Sequence, residues 1–428
     1  MSNVDEELRT ELRRVAGDRL VELRRDPDAE GRTDSPEEAI RAVVARFFDS
    51  EASRRLLGGK PLLSVADENR LTREVLDHLL GLGPLQRLLD DPEITDIHVR
   101  GNSRAWVKRV DGTRVDIDPV VATPDELVEL VRNAASRSSR GERRFDASTV
   151  ECNLCLEDGS RLFAIMDVAT MPSLVIRKHQ FQLSSLSQLQ SNGLLTPELA
   201  DFFSAAVRAR RNIVIAGGTG SGKTTLLRAL MNEVPSDERI VTIEDAYELG
   251  LDRFADRHPD HDVLQSRPAN IEGHGEVSLA DLTRMALRMD PDRVVVGEVR
   301  GAEAFPMLLA MGQGNNGSMC TLHADSTRGV FPKLAAYVSM ANTGLPIDIV
   351  NLVIANALHI VVHVEVIDGR RRLTSIREVV DADGPRIVSN EIFRSVDDGP
   401  AAPAFPMSGE LRERLERQGF DCGVAVWS

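Results

Sequence analysis

Apolar positions change their period along the chain, and each change predicts a different kind of element. Over the first 90 residues leucines and valines recur three and four apart, as in LRTELRRVAGDRLVELRR and ENRLTREVLDHLLGLGPLQRLL. That spacing predicts amphipathic helices, joined by a polar stretch around DPDAEGRTDSPEE. Their charge-laced faces suit a spacer or docking arm, and residues 1–90 receive no chemistry. From residue 91 the period shortens to two. ITDIHV, AWVKRV and TRVDI alternate apolar with polar, and Asp111-Gly112 marks a hairpin turn between the last two. Thr123, Pro124 and Glu126 then open a helix with Leu127, Leu130, Val131 and Ala134 on one face. A second hairpin, NLCL and RLFAIMDV around Asp158-Gly159-Ser160, and the strand LVIRKH complete a small α+β domain over 91–183.

Beyond a Ser-rich linker, Thr196 and Pro197 start a helix that runs toward Ala209, and the unbroken apolar NIVIA at 212–216 predicts a buried parallel strand. Strands and helices alternate from there to about residue 395, which predicts a doubly wound α/β domain over 184–395. Residues 396–428 form a tail, Pro-rich and then weakly amphipathic around Leu411 and Leu415.

Composition narrows the function classes. A chain of 428 residues has material for two to four domains, at 42% hydrophobic and 28% charged residues. No run approaches the roughly 18 apolar residues of a membrane helix, and MSNVDEELRTELRR is too charged for a signal peptide. The net charge of −15 disfavours bare nucleic acid as the main partner. Four cysteines make no disulfide framework, so reduced thiols and a cytosolic compartment are expected. Cys152 and Cys155 form one C-x-x-C with no second pair, and no zinc is expected.

The chemistry starts at GGTGSGKTT, residues 217–225, which fits G-x-x-x-x-G-K-[ST] through Gly217, Gly222, Lys223 and Thr224, between an expected strand and an expected helix. Gly217, Gly218, Thr219, Gly220, Ser221 and Gly222 would bring backbone N–H groups onto phosphate oxygens. Lys223 would contact the β- and γ-phosphates, and Thr224, beside Thr225, would help hold Mg²⁺. Two strands then end in acids: RIVTIEDAYEL brings Glu244, Asp245 and Glu248 to a C-terminal edge, and RVVVGEV ends in Gly297-Glu298. One carboxylate near a metal and another near an attacking water are what phosphoanhydride hydrolysis requires. SLADLTRMALRMDPD predicts a helix capped by Ser278, with Arg284 and Arg288 four apart on a face suited to a γ-phosphate, a neighbouring subunit or surface ion pairs. GQGNNGSMCTLHADS sets His323 at a loop edge.

In their order, GGTGSGKTT, TIEDAYEL, VVVGEVRG and GSMCTLHADS resemble the secretion traffic ATPases of type II and type IV secretion and pilus assembly. GLGPLQRLLDDPEITDIHVRG, LVIRKH, ALRMDPDRVVVGEVRGAEA and DGRRRLTSIREV are most similar to the CpaF-like branch that assembles Tad pili. The resemblance covers roughly 80–380. It implies a RecA-like ATPase domain, a hexameric ring, and a small domain folded over the nucleotide. It makes Glu298 the Walker B acid, Glu244 the catalytic carboxylate and His323 the histidine-box residue. Arg284 and Arg288 become a pair approaching the γ-phosphate, and Arg161 and Arg177 the arginines supplied by the small domain. RLFAIMDVATMPSLVIRKH is shorter than the family's usual stretch there. The implied activity is ATP hydrolysis with Mg²⁺ at the inner face of the cell membrane, with an integral membrane platform protein as partner. The rival expectations are a type IV secretion ATPase moving DNA or effectors, and a nucleotide-gated scaffold with little turnover.

Overall fold

The computed structural model describes residues 3–25, 35–137, 144–156, 158–178, 184–267, 269, 273–396 and 399–421. The chain divides into two compact units, 1–180 and 181–428.

In the first unit the helical period is realised in α1 (Asn3–Arg25), α2 (Pro36–Leu57) and α3 (Val65–Leu79), followed by the short α4 (Gln86–Asp90). Leu8, Leu12, Ala16 and Leu20 recur every fourth residue of α1 and are buried against Ile40, Val44 and Phe48 of α2 and Leu71, Val75 and Leu76 of α3. A reciprocal capping box of Ser35 and Glu38, with Pro36 in the first turn, starts α2. The strands that follow are β1 (Ile94–Arg100), β2 (Ala105–Arg109), β3 (Arg114–Ile117), then, after α5 (Pro124–Arg137), β4 (Glu151–Cys155), β5 (Arg161–Ile165) and β6 (Ser173–Arg177). They form an antiparallel sheet in the order β3-β2-β1-β6-β5-β4. Leu127, Val131 and Ala135 of α5 close its apolar face over Ile97, Val99, Leu162 and Ile176. Cys152 is buried and Cys155 half-buried on β4, three residues apart and so on opposite faces of an edge strand.

The second unit begins with α6 (Leu186–Ser191), α7 (Pro197–Arg208), β7 (Ile213–Gly217), α8 (Lys223–Met231), β8 (Ile240–Glu244) and β9 (His261–Gln265). It continues with α9 (Leu279–Ala286), β10 (Arg293–Val299), α10 (Ala304–Gly312), β11 (Met319–Leu322), α11 (Val330–Met340), α12 (Ile347–Ala357) and β12 (Ile360–Ile367). It ends with β13 (Arg370–Asp383), β14 (Arg386–Arg394), β15 (Ala402–Pro403) and α13 (Gly409–Glu416). The sheet order is β15-β14-β13-β12-β7-β11-β10-β8-β9. The six strands from β12 to β9 are parallel, and β13, β14 and β15 are antiparallel additions. The expected alternation of strand and helix therefore stops at β12. Asp368 and Gly369, with φ of 49° and 75°, turn β12 straight back into β13 as a two-residue hairpin.

Every residue of β7 and β8 is buried, because helices cover both faces of the parallel part. Ile213 and Ile215 face one core with Phe202, Phe203, Leu226 and Phe393, while Val214 and Ala216 face the other with Met307, Leu334 and Ile354. Arg293 at the start of β10 is fully buried yet fully paired. Its Nε and a terminal nitrogen meet the two Glu238 oxygens at 2.7 and 3.0 Å, and the other terminal nitrogen donates to the Val207 carbonyl at 2.9 Å. Gly317 must stay glycine beside it, since a Cβ there would stand 2.6 Å from that guanidinium.

Candidate functional site

Parallel strands present their C-terminal ends to one edge, and the candidate residues collect there. β7 runs directly into the loop 217–222, and α8 begins at Lys223. A Cβ on Gly217 would lie 2.2 Å from the Val364 carbonyl oxygen of neighbouring β12, so only glycine fits. Gly220 and Gly222 hold φ of 76° and 98°, the left-handed region that brings N–H groups to the concave side of such a loop. Ser221 Oγ donates to the Gly218 carbonyl at 2.9 Å and tightens the turn, leaving Gly218 and Thr219 exposed. Lys223 is buried, and its Nζ donates to the carbonyls of Gly217 and Gly218 at 3.1 and 2.9 Å, over the mouth of the loop. Burial lowers its pKa, opposed by the nearby Glu298 and Glu248 carboxylates. Thr224 and Thr225 are half-buried in the first turn of α8.

Glu244 ends β8 and is 1% exposed. Its Oε2 accepts from the backbone N–H of Glu248 at 2.7 Å and of Leu249 at 2.8 Å, while Oε1 is buried with no partner. Burial pushes its pKa up to about 7, and the two N–H donors pull the other way. A carboxylate fixed on one oxygen, orphaned on the other and titrating near neutrality has the properties of a general base or water-orienting group. On β10 the register with β11 shifts between Val296 and Val299, so Gly297 and Glu298 bow out of the ladder. Glu298 Oε1 lies 2.7 Å from His323 Nε2, and its Oε2 accepts from Arg300 at 2.6 Å. Burial and then Lys223 lower the His323 pKa, against the pull of Glu298, which favours a neutral imidazole in contact with that carboxylate.

The expected arginines fall in several places. Arg161 and Arg177 face each other in register across β5 and β6 in the first unit, and Arg177 Nε meets Asp96 at 3.2 Å. Arg284 is exposed and paired with Asp281 of its own helix. The expected single helix carrying Arg284 and Arg288 is corrected here. α9 stops at Ala286, and Arg288 lies just past the cap, because Asp290 takes φ of 54° and Pro291 follows. Both arginines are exposed, and the partner of Arg284 is Asp281 rather than Glu244 or Glu298.

Two arginines with no assigned role stand at the site instead. Arg300 bridges Glu298 and, at 3.7 Å, Asp245, and the bond to Glu298 raises its pKa. Arg371, on the strand after the Asp368-Gly369 turn, donates from Nε to the Gly220 carbonyl at 3.1 Å, and its Cδ would touch a Cβ on Gly222 at 3.2 Å. The run of arginines in DGRRR was visible in the sequence, but its position beside a loop 151 residues earlier was not.

A glycine cradle at a helix start, a buried lysine over it, and an orphaned carboxylate and a paired one on adjacent strand ends define a phosphate-loop nucleotide hydrolase. Residues 78–380 match the family described as Type II/IV secretion system protein. The chain is 35% identical over 352 residues to a Mycobacterium tuberculosis H37Rv protein whose name associates it with conjugal transfer, covering 80% of this chain and 96% of that one. It is 32% identical over 322 residues to the type IV secretion system protein VirB11 of Brucella suis, covering 68% and 87%. The solved structure of the Legionella pneumophila ATPase DotB aligns at a TM-score of 0.50 and 18% identity, covering 69% of this chain and 79% of that one, a likeness of fold. The chain belongs to the Type II/IV secretion system protein family, and it is an ATPase with a RecA-like domain.

Proposed function

We propose that this chain is the ATP-hydrolysing motor of a secretion or pilus-assembly machine, working as a hexameric ring on the cytoplasmic face of the membrane against an integral platform protein. The observation that carries the reading is the buried Glu244, orphaned on one oxygen, with a pKa raised to about 7, at the same sheet edge as a glycine cradle. Among the described residues no helix is long and apolar enough to cross a membrane, so attachment through a partner accounts for the membrane connection.

The loop of Gly217 to Gly222 cradles the ATP phosphates, Lys223 neutralises the β- and γ-phosphates, and Glu244 orients the attacking water and takes its proton. Glu298 is held in place by His323 and Arg300. Thr224 and Glu298 supply the oxygen donors that suit Mg²⁺, which when bound adds charge neutralisation to the phosphates. Among the described residues no group of three or more His, Cys, Asp or Glu could hold a metal alone, which fits an ion shared with the substrate. Arg284, Arg288, Arg161 and Arg177 are offered as arginines that meet a nucleotide within the assembled ring.

Tad-type pilus assembly is the first reading of the cargo, from the likeness of residues 81–101 and 369–379 to that branch. Type IV secretion is the second, favoured by the likeness to VirB11 and to the conjugal-transfer protein. The test is Mg²⁺-dependent phosphate release by the purified chain beside Lys223→Ala, with mass measured by light scattering. Ring-sized mass with release that depends on Lys223 is expected. A monomer that binds ATP and releases no phosphate, even with the platform protein's cytoplasmic part, would replace the motor with a nucleotide-gated scaffold.

A further inference from the structure

A cavity of about 550 Å³ opens where β7 begins, at the edge of the second unit's sheet opposite the phosphate loop. Arg208, Arg210 and Arg211 line it from the end of α7, Arg414 and Arg417 from α13 and its cap, and Asp292 adds one carboxylate. In a chain of net charge −15 such a concentration of guanidinium groups calls for a cause. The C-terminal dipole of α7 attracts some of them. Local acids account for more: Arg208 lies 3.7 Å from Glu233, Arg210 3.3 Å from Asp292, Arg414 2.9 Å from Glu410 and Arg417 3.3 Å from Glu413.

Arg211 is different. It is only 8% exposed, and among the described residues no carboxylate pairs with it; its Nε donates to the Ala209 carbonyl at 3.1 Å. A guanidinium buried without an ion pair of its own is costly, and the carboxylate whose charge reaches Arg211, Glu410, is already bonded to Arg414. The local field acts on the titratable groups around it. Burial, then Arg414, brings the Arg211 pKa down to about 10 against the pull of Glu410, and burial with Arg211 and Arg414 brings that of His359 to about 3. His359 Nδ1 accepts from the Asn212 N–H at 2.9 Å, so this imidazole stays neutral and offers the cavity no compensation.

We propose that this cavity binds a phosphate-bearing anion through Arg211, Arg414 and Arg417, at a second site separate from the phosphate loop. Planar guanidinium forks match phosphate oxygens two at a time, and the volume falls within the usual range for a small-molecule site. A polyvalent anion engages several forks at once, which a single carboxylate does not. The two sites flank one strand: from Arg211 to Gly217 is about 20 Å of extended chain, so occupancy of one need not obstruct the other.

The two sources of this chemistry, a free oligophosphate and a lipid headgroup, are separated by experiment. The full chain carrying Lys223→Ala, which silences the phosphate loop, is titrated with inorganic pyrophosphate by calorimetry near physiological salt. It is also sedimented with vesicles of phosphatidylglycerol or of phosphatidylcholine. The comparison variant adds Arg414→Gln and Arg417→Gln; both side chains are exposed, while α13 packs through the buried Leu411 and Leu415, so its fold is retained and circular dichroism verifies it. Pyrophosphate binding weakened roughly tenfold in the comparison variant supports a soluble ligand. Binding to phosphatidylglycerol vesicles alone, lost in the same variant, supports a headgroup. No binding of either probe, or binding that the two substitutions leave unchanged, overturns the proposal, and neither result touches the assignment of the loop at Lys223.

Discussion

Gly297 and Glu244 meet across adjacent strands so closely that a Cβ on the glycine would stand 3.2 Å from Glu244 Cγ. Glu244 has little room to yield, because Oε2 is tied to two backbone N–H groups. Gly297→Ala is therefore expected to displace the carboxylate by a few tenths of an ångström and leave the loop intact. Turnover should fall roughly tenfold while ATP affinity holds, since positioning errors of this kind act on the chemical step. Single-turnover phosphate release and fluorescent-nucleotide titration measure the two separately, and an unchanged rate would remove Glu244 from the mechanism.

The raised pKa of Glu244 sets a pH dependence of known sign. Below about 7 the carboxyl is protonated and unable to accept a proton, so turnover should rise with pH through a midpoint near 7 that Glu244→Gln abolishes. Stability runs the other way. The folded-state value lies above the ordinary 4.5, so the folded chain holds a proton that the unfolded chain has lost between those values. Stability present below 4.5 declines as pH rises to about 7, by about 3 kcal/mol for this group. Urea unfolding of wild type and Glu244→Gln at pH 4.5 and 8 should show that slope in the first chain and lose it in the second.

Glu298→Gln keeps the size of the side chain and one acceptor, and it removes the charge that His323 and Arg300 hold in place. Nucleotide binding should persist and turnover should fall by at least about tenfold. A full-rate Glu298→Gln enzyme would contradict the assignment of that strand.

Much of the second unit was legible because its physics is local. An unbroken apolar run such as NIVIA reports burial on both faces, and a glycine loop before a helix start reports an anion site wherever the fold places it. The carboxylates were legible because parallel strands deliver their last residues to a common edge. Arg288 was misplaced by a cap: the Asp290-Pro291 pair ends the helix at Ala286, just after its second turn and before it reaches Arg288. Arg300 was quoted within GEVRG without a role, because its value lies in its contacts with Glu298 and Asp245, the second on a neighbouring strand's loop and visible only in the fold. Arg211 was invisible for the opposite reason, since what marks it is burial without an ion pair of its own, which only the three-dimensional packing decides.

The pair of Arg293 and Glu238 anchors the rim of the second unit's sheet. Arg293 has no exposed atoms, and Glu238→Ala would strand its charge between β10, the end of α7 and Gly317. Breaking a buried pair on one side costs about 3–5 kcal/mol. In a unit of this size that corresponds to a fall in Tm of roughly 10 °C. Calorimetry should find the loss in the transition that reports the second unit, and a shift within about 1 °C would mean that the Val207 and Gly317 carbonyls satisfy Arg293 without Glu238.

Arg371 presents the most direct test of how the hairpin completes the site. Strand β12 pairs with β7 up to Val364 beside Gly217, so the Asp368-Gly369 turn overhangs the phosphate loop, and register puts Arg371 opposite Val366 on the returning strand. Its guanidinium rests on the Gly220 carbonyl, on the flank of the loop away from Glu244 and Glu298, which lie on the other side of β7. A cation there adds to Lys223 without duplicating it, and it would act on nucleotide binding more than on the attack of water. Arg371→Ala should weaken ATP affinity several-fold, roughly threefold to tenfold, with kcat at saturation nearly unchanged, and Arg371→Lys should recover part of the loss. Raising salt should weaken wild type more steeply than Arg371→Ala, because the variant has one less cation to screen. Equal affinity and equal salt slope in the two chains would show that Arg371 only shelters the loop's carbonyl and takes no part in holding the nucleotide.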